Sequence, residues 1–234
     1  MSGDRSRPVV APASKDVAAF LDRARQVAPA ATSGTGRLVF ALDATMSRQP
    51  TWDSACVLQA EMFQEAAASG GLAIQLVYFR GLAECRASGF VSQADKLAAL
   101  MRRIDCRGGH TQIGRVLSHT INEHARQRVQ AAVFVGDAME EKVDDLCVAA
   151  GQLGLLGVPL FLFQEGGDPV AEQAFREMAR LSRGGYSRFD AGSARQLAEL
   201  LRAVAAYASG GRAALAALSA RNNDGARHLL AQLR

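Results

Sequence analysis

The sequence of 234 residues lacks long apolar runs, basic runs and paired cysteines. No apolar run approaches the ~18 residues of a membrane span, and the opening segment MSGDRSRPVVAPASKD has no apolar core of the kind found in signal peptides. The net charge is only +4 and no long basic run occurs, which argues against dedicated nucleic-acid binding. The four cysteines form no CxxC pair and lie within periodic segments, so we interpret them as small buried thiols. We therefore expect a reduced, cytoplasmic protein without a membrane segment.

The composition is that of an ordinary globular protein, with 49% hydrophobic and 21% charged residues. Residues 1–15 are rich in Pro, Ser and charge, and we predict a disordered tail there. Residues 16–36 predict an amphipathic N-terminal helix followed by a linker. The remaining length suits one large domain with a substantial core.

Short apolar runs alternate with longer helical patterns from residue 37 onward. The apolar runs, which predict strands, lie at 37–42, 72–79, 131–136, 158–164 and 185–190. The helical patterns lie at 52–69, 92–104, 112–127, 140–155, 169–182 and 193–208. This alternation predicts an α/β fold, a three-layer doubly wound (Rossmann-like) and mostly parallel sheet of about six strands with helices on both faces.

Two segments depart from the simple alternation. Residues 81–91 follow a predicted strand with no room for a crossover helix, so they predict an antiparallel strand at the edge of the sheet. After Gly210–Gly211, residues 209–234 predict two short helices with Ala- and Leu-rich faces. These helices either pack on the domain at 37–208 or carry an interface with a partner, and the sequence leaves both alternatives open.

Five polar residues are predicted at the carboxyl ends of the strands, where doubly wound sheets bind ligands. Asp43, Thr45 and Ser47 follow the first strand, Asp137 follows the strand at 131–136, and Thr111 opens the helical pattern near 112. Two carboxylates and three hydroxyls form an all-oxygen set, which suits Mg²⁺ or Mn²⁺. An extended loop would direct the side chains of 43, 45 and 47 to the same side.

Each of these residues also has a simpler explanation. Ser47, Thr111 and Asp137 could cap the helices that follow them, with Glu140 and Glu141 favouring the N-terminal dipole of the last. Asp43 could instead be a catalytic aspartate. Taken singly, none of the residues distinguishes a cap, a nucleophile and a metal ligand.

The motif DATMS at 43–47 fits the pattern D-x-[ST]-x-S, Thr111 lies in a Gly-rich loop, and Asp137 follows the strand VFVG. With these motifs in this order, residues 37–208 resemble von Willebrand factor A (VWA) domains of the intracellular bacterial type, with a metal-ion-dependent adhesion site. The resemblance implies that Thr45, Ser47 and Thr111 offer hydroxyls to the metal and that Asp43 and Asp137 act largely through water. It further implies that an Asp or Glu carboxylate of a partner protein completes the shell. Thr45 replaces the usual serine, and Ala138 stands where glycine is common.

The resemblance predicts a Mg²⁺-dependent protein–protein interaction module with no catalytic residues. The alternative hypothesis is a Mg²⁺-dependent phosphohydrolase or phosphotransferase similar to the haloacid dehalogenase superfamily, with Asp43 as the nucleophile. Thr45 weakens this alternative because most of that superfamily has a second aspartate there. Lys96 is the only lysine between the two motifs, and it lies in a predicted surface helix.

Overall fold

The structure is a computed structural model that describes residues 36–50, 52, 72–190 and 194–233. The predicted tail at 1–15, the segment at 16–36 apart from Gly36, and the predicted helix at 52–69 apart from Trp52 lie outside the described residues.

A six-stranded sheet forms the centre of the described chain, with strand order β3-β2-β1-β4-β5-β6. The strands are β1 Gly36–Asp43, β2 Leu72–Arg80, β3 Glu84–Val91, β4 Ala131–Gly136, β5 Leu160–Glu165 and β6 Gly185–Phe189. All neighbouring strands are parallel except β2 and β3, which are antiparallel. Gly81 starts the tight connection between those two strands with a positive φ of 62°, which glycine adopts without strain. The predicted fold class and the antiparallel edge strand are confirmed.

Helices cover both faces of this sheet. Those described are α1 Ala94–Met101, α2 Ile113–Arg126, α3 Val143–Leu155, α4 Pro169–Leu181, α5 Ala194–Ala220 and α6 Asp224–Gln232. The start of α4 shows how the sequence sets a boundary: the Asp168 carboxylate accepts hydrogen bonds from the N–H groups of Val170 and Ala171. No described helix is long and apolar enough to cross a membrane.

The predicted break at Gly210–Gly211 is confirmed within the range of α5. The backbone of these two glycines is not helical, with φ of −138° and 65°, so α5 consists of two helical segments that meet at a kink. The predicted domain boundary after residue 208 falls next to this kink. Leu215 and Leu229, from the two sides of the last turn, are fully buried in the same core layer as Leu38 of β1. These leucines therefore pack back on the sheet and do not form an exposed face.

The alternation of side chains along β1 divides the core into two layers. Phe40 and Leu42 point into one layer, whereas Val39 and Ala41 point into the other. Both layers are sealed, because every residue of β1 is buried. Such a doubly covered strand explains its almost wholly apolar sequence, which ends at a single acid, Asp43.

The described cysteines only partly match the sequence prediction. Cys106 is buried, but Cys85 and Cys147 are half-buried, and Cys56 lies outside the described residues. Desolvation raises the pKa of the Cys85 and Cys147 thiols, so neither is activated as a thiolate nucleophile.

Candidate metal centre

Asp43, the last residue of β1, is fully buried. Its Oδ1 atom accepts a hydrogen bond of 2.7 Å from the N–H of Thr45, whereas its Oδ2 atom is buried without a hydrogen-bond partner. Desolvation raises the pKa of Asp43 to about 6, against the lowering effect of the hydrogen bonds from Thr45. The negative charge of Asp137 raises this pKa further, and the positive charge of Arg48 lowers it.

Asp137 directly follows β4, the neighbour of β1 in the sheet. The two strands pair in parallel with Leu42 opposite Val135, so Asp43 and Asp137 lie on adjacent strand ends. Asp137 Oδ1 is also buried without a hydrogen-bond partner. Two carboxylate oxygens that are both buried and unpaired are costly unless a cation compensates them. The residues present therefore fit a divalent cation.

Thr45 and Ser47 bring two hydroxyls to the same loop. Their Oγ atoms lie 3.1 Å apart, with Thr45 buried and Ser47 exposed. The sequence pattern required an extended loop at residues 43–47. In the structure Thr45 is extended, but a 3₁₀ helix occupies Met46–Arg48. The tight turn brings Ser47 back to Thr45, so the two hydroxyls converge by a different geometry from the one that we expected.

Thr111 is buried and is held by the loop that follows Asp137. Its Oγ1 accepts a hydrogen bond of 3.1 Å from the N–H of Glu140, and its own N–H donates to Glu140 Oε2 at 3.2 Å. The loop before Thr111 also meets the first loop, because the N–H of Arg107 donates to the Ala44 carbonyl at 3.0 Å. The three segments that carry the five predicted residues are thus linked at one end of the sheet.

The capping explanations fail for the described helices. The N-cap residues of α2 and α3 are Gln112 and Lys142, and neither side chain makes a capping hydrogen bond. Thr111 and Asp137 lie outside these N-cap positions, so they are not the caps of these helices. The suggestion that Ser47 caps a helix near Trp52 lies largely outside the described residues. The capping alternative placed Glu141 at the start of α3. In the structure, Glu141 instead accepts hydrogen bonds from Ile113 N (2.5 Å) and Gly114 N (2.9 Å) at the start of α2.

Two residues of this region were missed by the sequence reasoning. Arg48 is 1% exposed and is the largest fully buried side chain among the described residues. It forms an ion pair with Glu165, the last residue of β5. The sequence does show a basic residue directly after the D-x-T-x-S motif and an acid at the end of a predicted strand. It does not show that the two side chains meet.

Histidine, cysteine and carboxylate ligands alone do not form a metal site here. In the part of the chain that the structure describes, no group of three or more His, Cys, Asp or Glu side chains could hold a metal ion. A cation at Asp43 and Asp137 would therefore need hydroxyl or water oxygens as further ligands, as hard cations readily accept.

The strand order defines a doubly wound α/β domain with polar side chains at the carboxyl ends of its strands, where such domains bind ligands. No protein-family model and no curated protein matches the sequence. Solved structures do match, and they show more specifically that the chain has the fold of VWA domains.

Three of these structures illustrate the likeness. A von Willebrand factor type A protein from Catenulispora acidiphila is 18% identical, with a TM-score of 0.59, and the match covers 76% of this chain and 43% of that one. The SpRpn10 VWA domain is 13% identical, with a TM-score of 0.58 and coverage of 73% and 95%. Proximal thread matrix protein 1 from the mussel byssus, solved with zinc in its MIDAS motif, is 15% identical, with a TM-score of 0.57 and coverage of 74% and 46%.

Proposed function

We propose that this chain is a protein–protein interaction module that depends on Mg²⁺ or Mn²⁺ and binds an acidic side chain of a partner through a metal-ion-dependent adhesion site. The observation that carries the proposal is the pair of buried, unpaired oxygens Asp43 Oδ2 and Asp137 Oδ1. The VWA fold and the zinc-occupied motif of the mussel byssus protein support it.

Five residues would hold the cation. Thr45, Ser47 and Thr111 offer neutral hydroxyl oxygens, and Asp43 and Asp137 supply two negative charges, largely through water. A divalent cation bound by such weak neutral ligands supplies a partly hydrated Lewis acid that can still accept a carboxylate. Ser47 is exposed, so the first loop presents this position to solvent.

Exposed apolar side chains support docking of a protein at this end of the sheet. Met46 (53% exposed), Leu82 (77%), Val143 (37%) and Val170 (56%) follow the ends of β1, β2, β4 and β5, and we call them the apolar row. These strands are neighbours in the order β2-β1-β4-β5, so the four residues follow adjacent strand ends at the same edge of the sheet. Exposed apolar residues gathered in this way mark interaction surfaces.

We further propose that the chain is not an enzyme, acts in the cytoplasm and binds neither nucleic acid nor membranes. The phosphohydrolase alternative requires Asp43 to reach phosphorus, but this side chain is fully buried and its Oδ1 is held by the N–H of Thr45. Lys96, the only lysine between the two motifs, lies exposed on α1. No feature of the described site favours that reaction.

Affinity capture from cell extract tests the function, run once with Mg²⁺ and once with EDTA. We expect at least one protein to be retained only with Mg²⁺ and to be lost when Met46 and Leu82 of the apolar row are both replaced by serine. The double variant Val148→Ser and Leu155→Ser is the matched control, because these residues are 74% and 87% exposed on α3 and follow the first turn of that helix. The control should retain the partner. Binding that is indifferent to EDTA, or lost equally in both double variants, would contradict the proposal.

A further inference from the structure

Glu141 holds the first turn of α2 from a loop that is distant along the chain. Its Oε1 atom accepts a hydrogen bond of 2.5 Å from the N–H of Ile113, and its Oε2 atom accepts one of 2.9 Å from the N–H of Gly114. The residue at the N-cap position, Gln112, makes no capping hydrogen bond with its own side chain. The Glu141 carboxylate therefore satisfies two of the N–H groups that the start of a helix leaves without a partner.

The residue at position 114 leaves room for this carboxylate. A Cβ atom on Gly114 would lie 3.1 Å from Glu141 Oε2, which is closer than an ordinary van der Waals contact. Glycine is a poor helix former, and Gly114 lies in the first turn of α2. The close approach of Glu141 accounts for a glycine at this place.

The contact joins the two segments that carry Thr111 and Asp137, two of the five proposed metal ligands. Asp137 directly follows β4 and precedes Glu141 by four positions, so the sheet fixes its place. Thr111 precedes Ile113 by two positions, and none of the described residues 102–112 belongs to a helix or a strand. The place of Thr111 relative to Asp137 therefore depends on contacts between the two segments.

Glu140 adds a second link between the same segments. Its Oε2 atom accepts a hydrogen bond of 3.2 Å from the N–H of Thr111, and its own N–H donates to Thr111 Oγ1 at 3.1 Å. Glu140 thus contacts Thr111 itself, whereas Glu141 holds the helical turn that follows Thr111. These four hydrogen bonds connect the loop after β4 to the start of α2.

We propose that Glu141 is a positioning residue of the metal site: by holding the first turn of α2, it keeps Thr111 where its hydroxyl and the Asp137 carboxylate can bind the same divalent cation. The proposal rests on the proposed metal-dependent function. It assigns Glu141 a role in cation affinity although Glu141 is not one of the five proposed ligands. Residues that orient metal ligands from outside typically contribute about 10-fold to 100-fold to metal affinity.

A role through Thr111 differs from other roles of Glu141 in how substitutions combine. If Glu141 acts by placing the Thr111 hydroxyl, its removal should matter only while that hydroxyl is present. If Glu141 instead attracts the cation through its charge, or only stabilises the fold, its removal should have the same effect with or without the hydroxyl. A double-mutant cycle of Glu141→Gln and Thr111→Val separates these roles.

The test is the dissociation constant of Mn²⁺ for the full chain, measured by electron paramagnetic resonance of the free ion. Glu141→Gln, which keeps the shape of the side chain, should weaken Mn²⁺ binding about tenfold in the wild-type background. In the Thr111→Val background, the same substitution should change the dissociation constant by less than about twofold. The resonance spectrum of bound Mn²⁺ in Glu141→Gln should also shift towards that of Thr111→Val, which a loss of fold stability alone does not produce.

Asp144→Asn is the matched control for the lost charge. Asp144 is an exposed carboxylate in the first turn of α3, three positions beyond Glu141. Because solvent screens such a charge, this variant should bind Mn²⁺ within about twofold of the wild type.

An equal loss of affinity from Glu141→Gln in both backgrounds, no loss in the wild-type background, or a similar loss in Asp144→Asn would overturn the proposal. If Glu141→Gln fails to fold by circular dichroism, Gly114→Ala replaces it in the same cycle and is judged by the same criterion, because its Cβ displaces the carboxylate without removing the charge. Absence of Mn²⁺ binding by the folded wild type would refute the metal site and the proposed function as well. Failure of the positioning role alone leaves wild-type binding intact, so the two failures are distinguishable.

Discussion

Replacing Asp43 with asparagine should abolish the thermal stabilisation of this domain by Mg²⁺. The wild type should gain about 2.7 kcal/mol at a Mg²⁺ concentration of 100 times Kd, because only the folded chain presents the site. For a domain of this size, the gain corresponds to a rise of about 5–10 °C in Tm. Asparagine keeps the shape of the side chain and an acceptor for the N–H of Thr45, but it removes one of the two charges that face the cation. Melting curves with Mg²⁺ and with EDTA measure the difference.

The control for this experiment is Asp145→Asn, which makes the same change of charge on an exposed residue in the first turn of α3. We expect this variant to keep the full Mg²⁺ response. The metal site would be refuted at Asp43 if both variants responded to Mg²⁺ as the wild type does.

The same Asp43→Asn substitution should stabilise the metal-free domain at neutral pH. Burial raises the pKa of Asp43 from 3.8 to about 6, so the folded state holds its proton more tightly than the unfolded chain does. Below pH 3.8 both states are protonated and the group costs nothing. As the pH rises through 6, the folded state must accept a buried charge, and stability falls. The difference of about 2.2 pKa units lowers the free energy of unfolding by about 3 kcal/mol above pH 6. An asparagine at this position carries no charge and avoids this loss.

Urea unfolding in EDTA at a series of pH values checks this expectation. The variant should equal the wild type near pH 4, exceed it increasingly between pH 4 and pH 6, and exceed it by about 3 kcal/mol at neutral pH. A variant that is less stable than the wild type at neutral pH would show that the Asp43 carboxylate is compensated within the metal-free fold. Together, a gain in stability and a loss of the Mg²⁺ response would identify Asp43 as a residue kept for binding at the expense of the fold.

The sheet could be predicted from the sequence because its determinants are local. Apolar runs of strand length alternate with helical patterns, and the segment at 81–91 leaves no room for a crossover helix, which requires the antiparallel β3. The convergence of Asp43, Thr111 and Asp137 at one end was also predictable, since parallel strands share their carboxyl ends. What a strand pattern cannot supply is the path of the loop: the 3₁₀ turn at Met46–Arg48 replaced the extended segment that we expected.

The contacts between loops were not predictable because they depend on which strands are neighbours. Arg48 and Glu165 are separated by 117 positions along the chain (165 − 48) and meet only because β1 and β5 flank β4. The contacts of Glu140 and Glu141 depend on strand neighbours for the same reason: these residues precede α3 in sequence, but they accept hydrogen bonds from the backbone N–H groups of Thr111, Ile113 and Gly114. The break in α5 was predictable, because Gly210 and Gly211 are poor helix formers between two alanine-rich segments that are both helical.

The central claim is that a divalent cation occupies the end of the sheet between Asp43 and Asp137. The most direct test is an anomalous difference map from crystals of the chain soaked in Mn²⁺. We predict one strong peak, bounded by the side-chain oxygens or bridging waters of Asp43, Thr45, Ser47, Thr111 and Asp137, and no such peak in the Asp43→Asn variant. An empty map at this position in the wild type, or a peak that persists unchanged in the variant, would contradict the account.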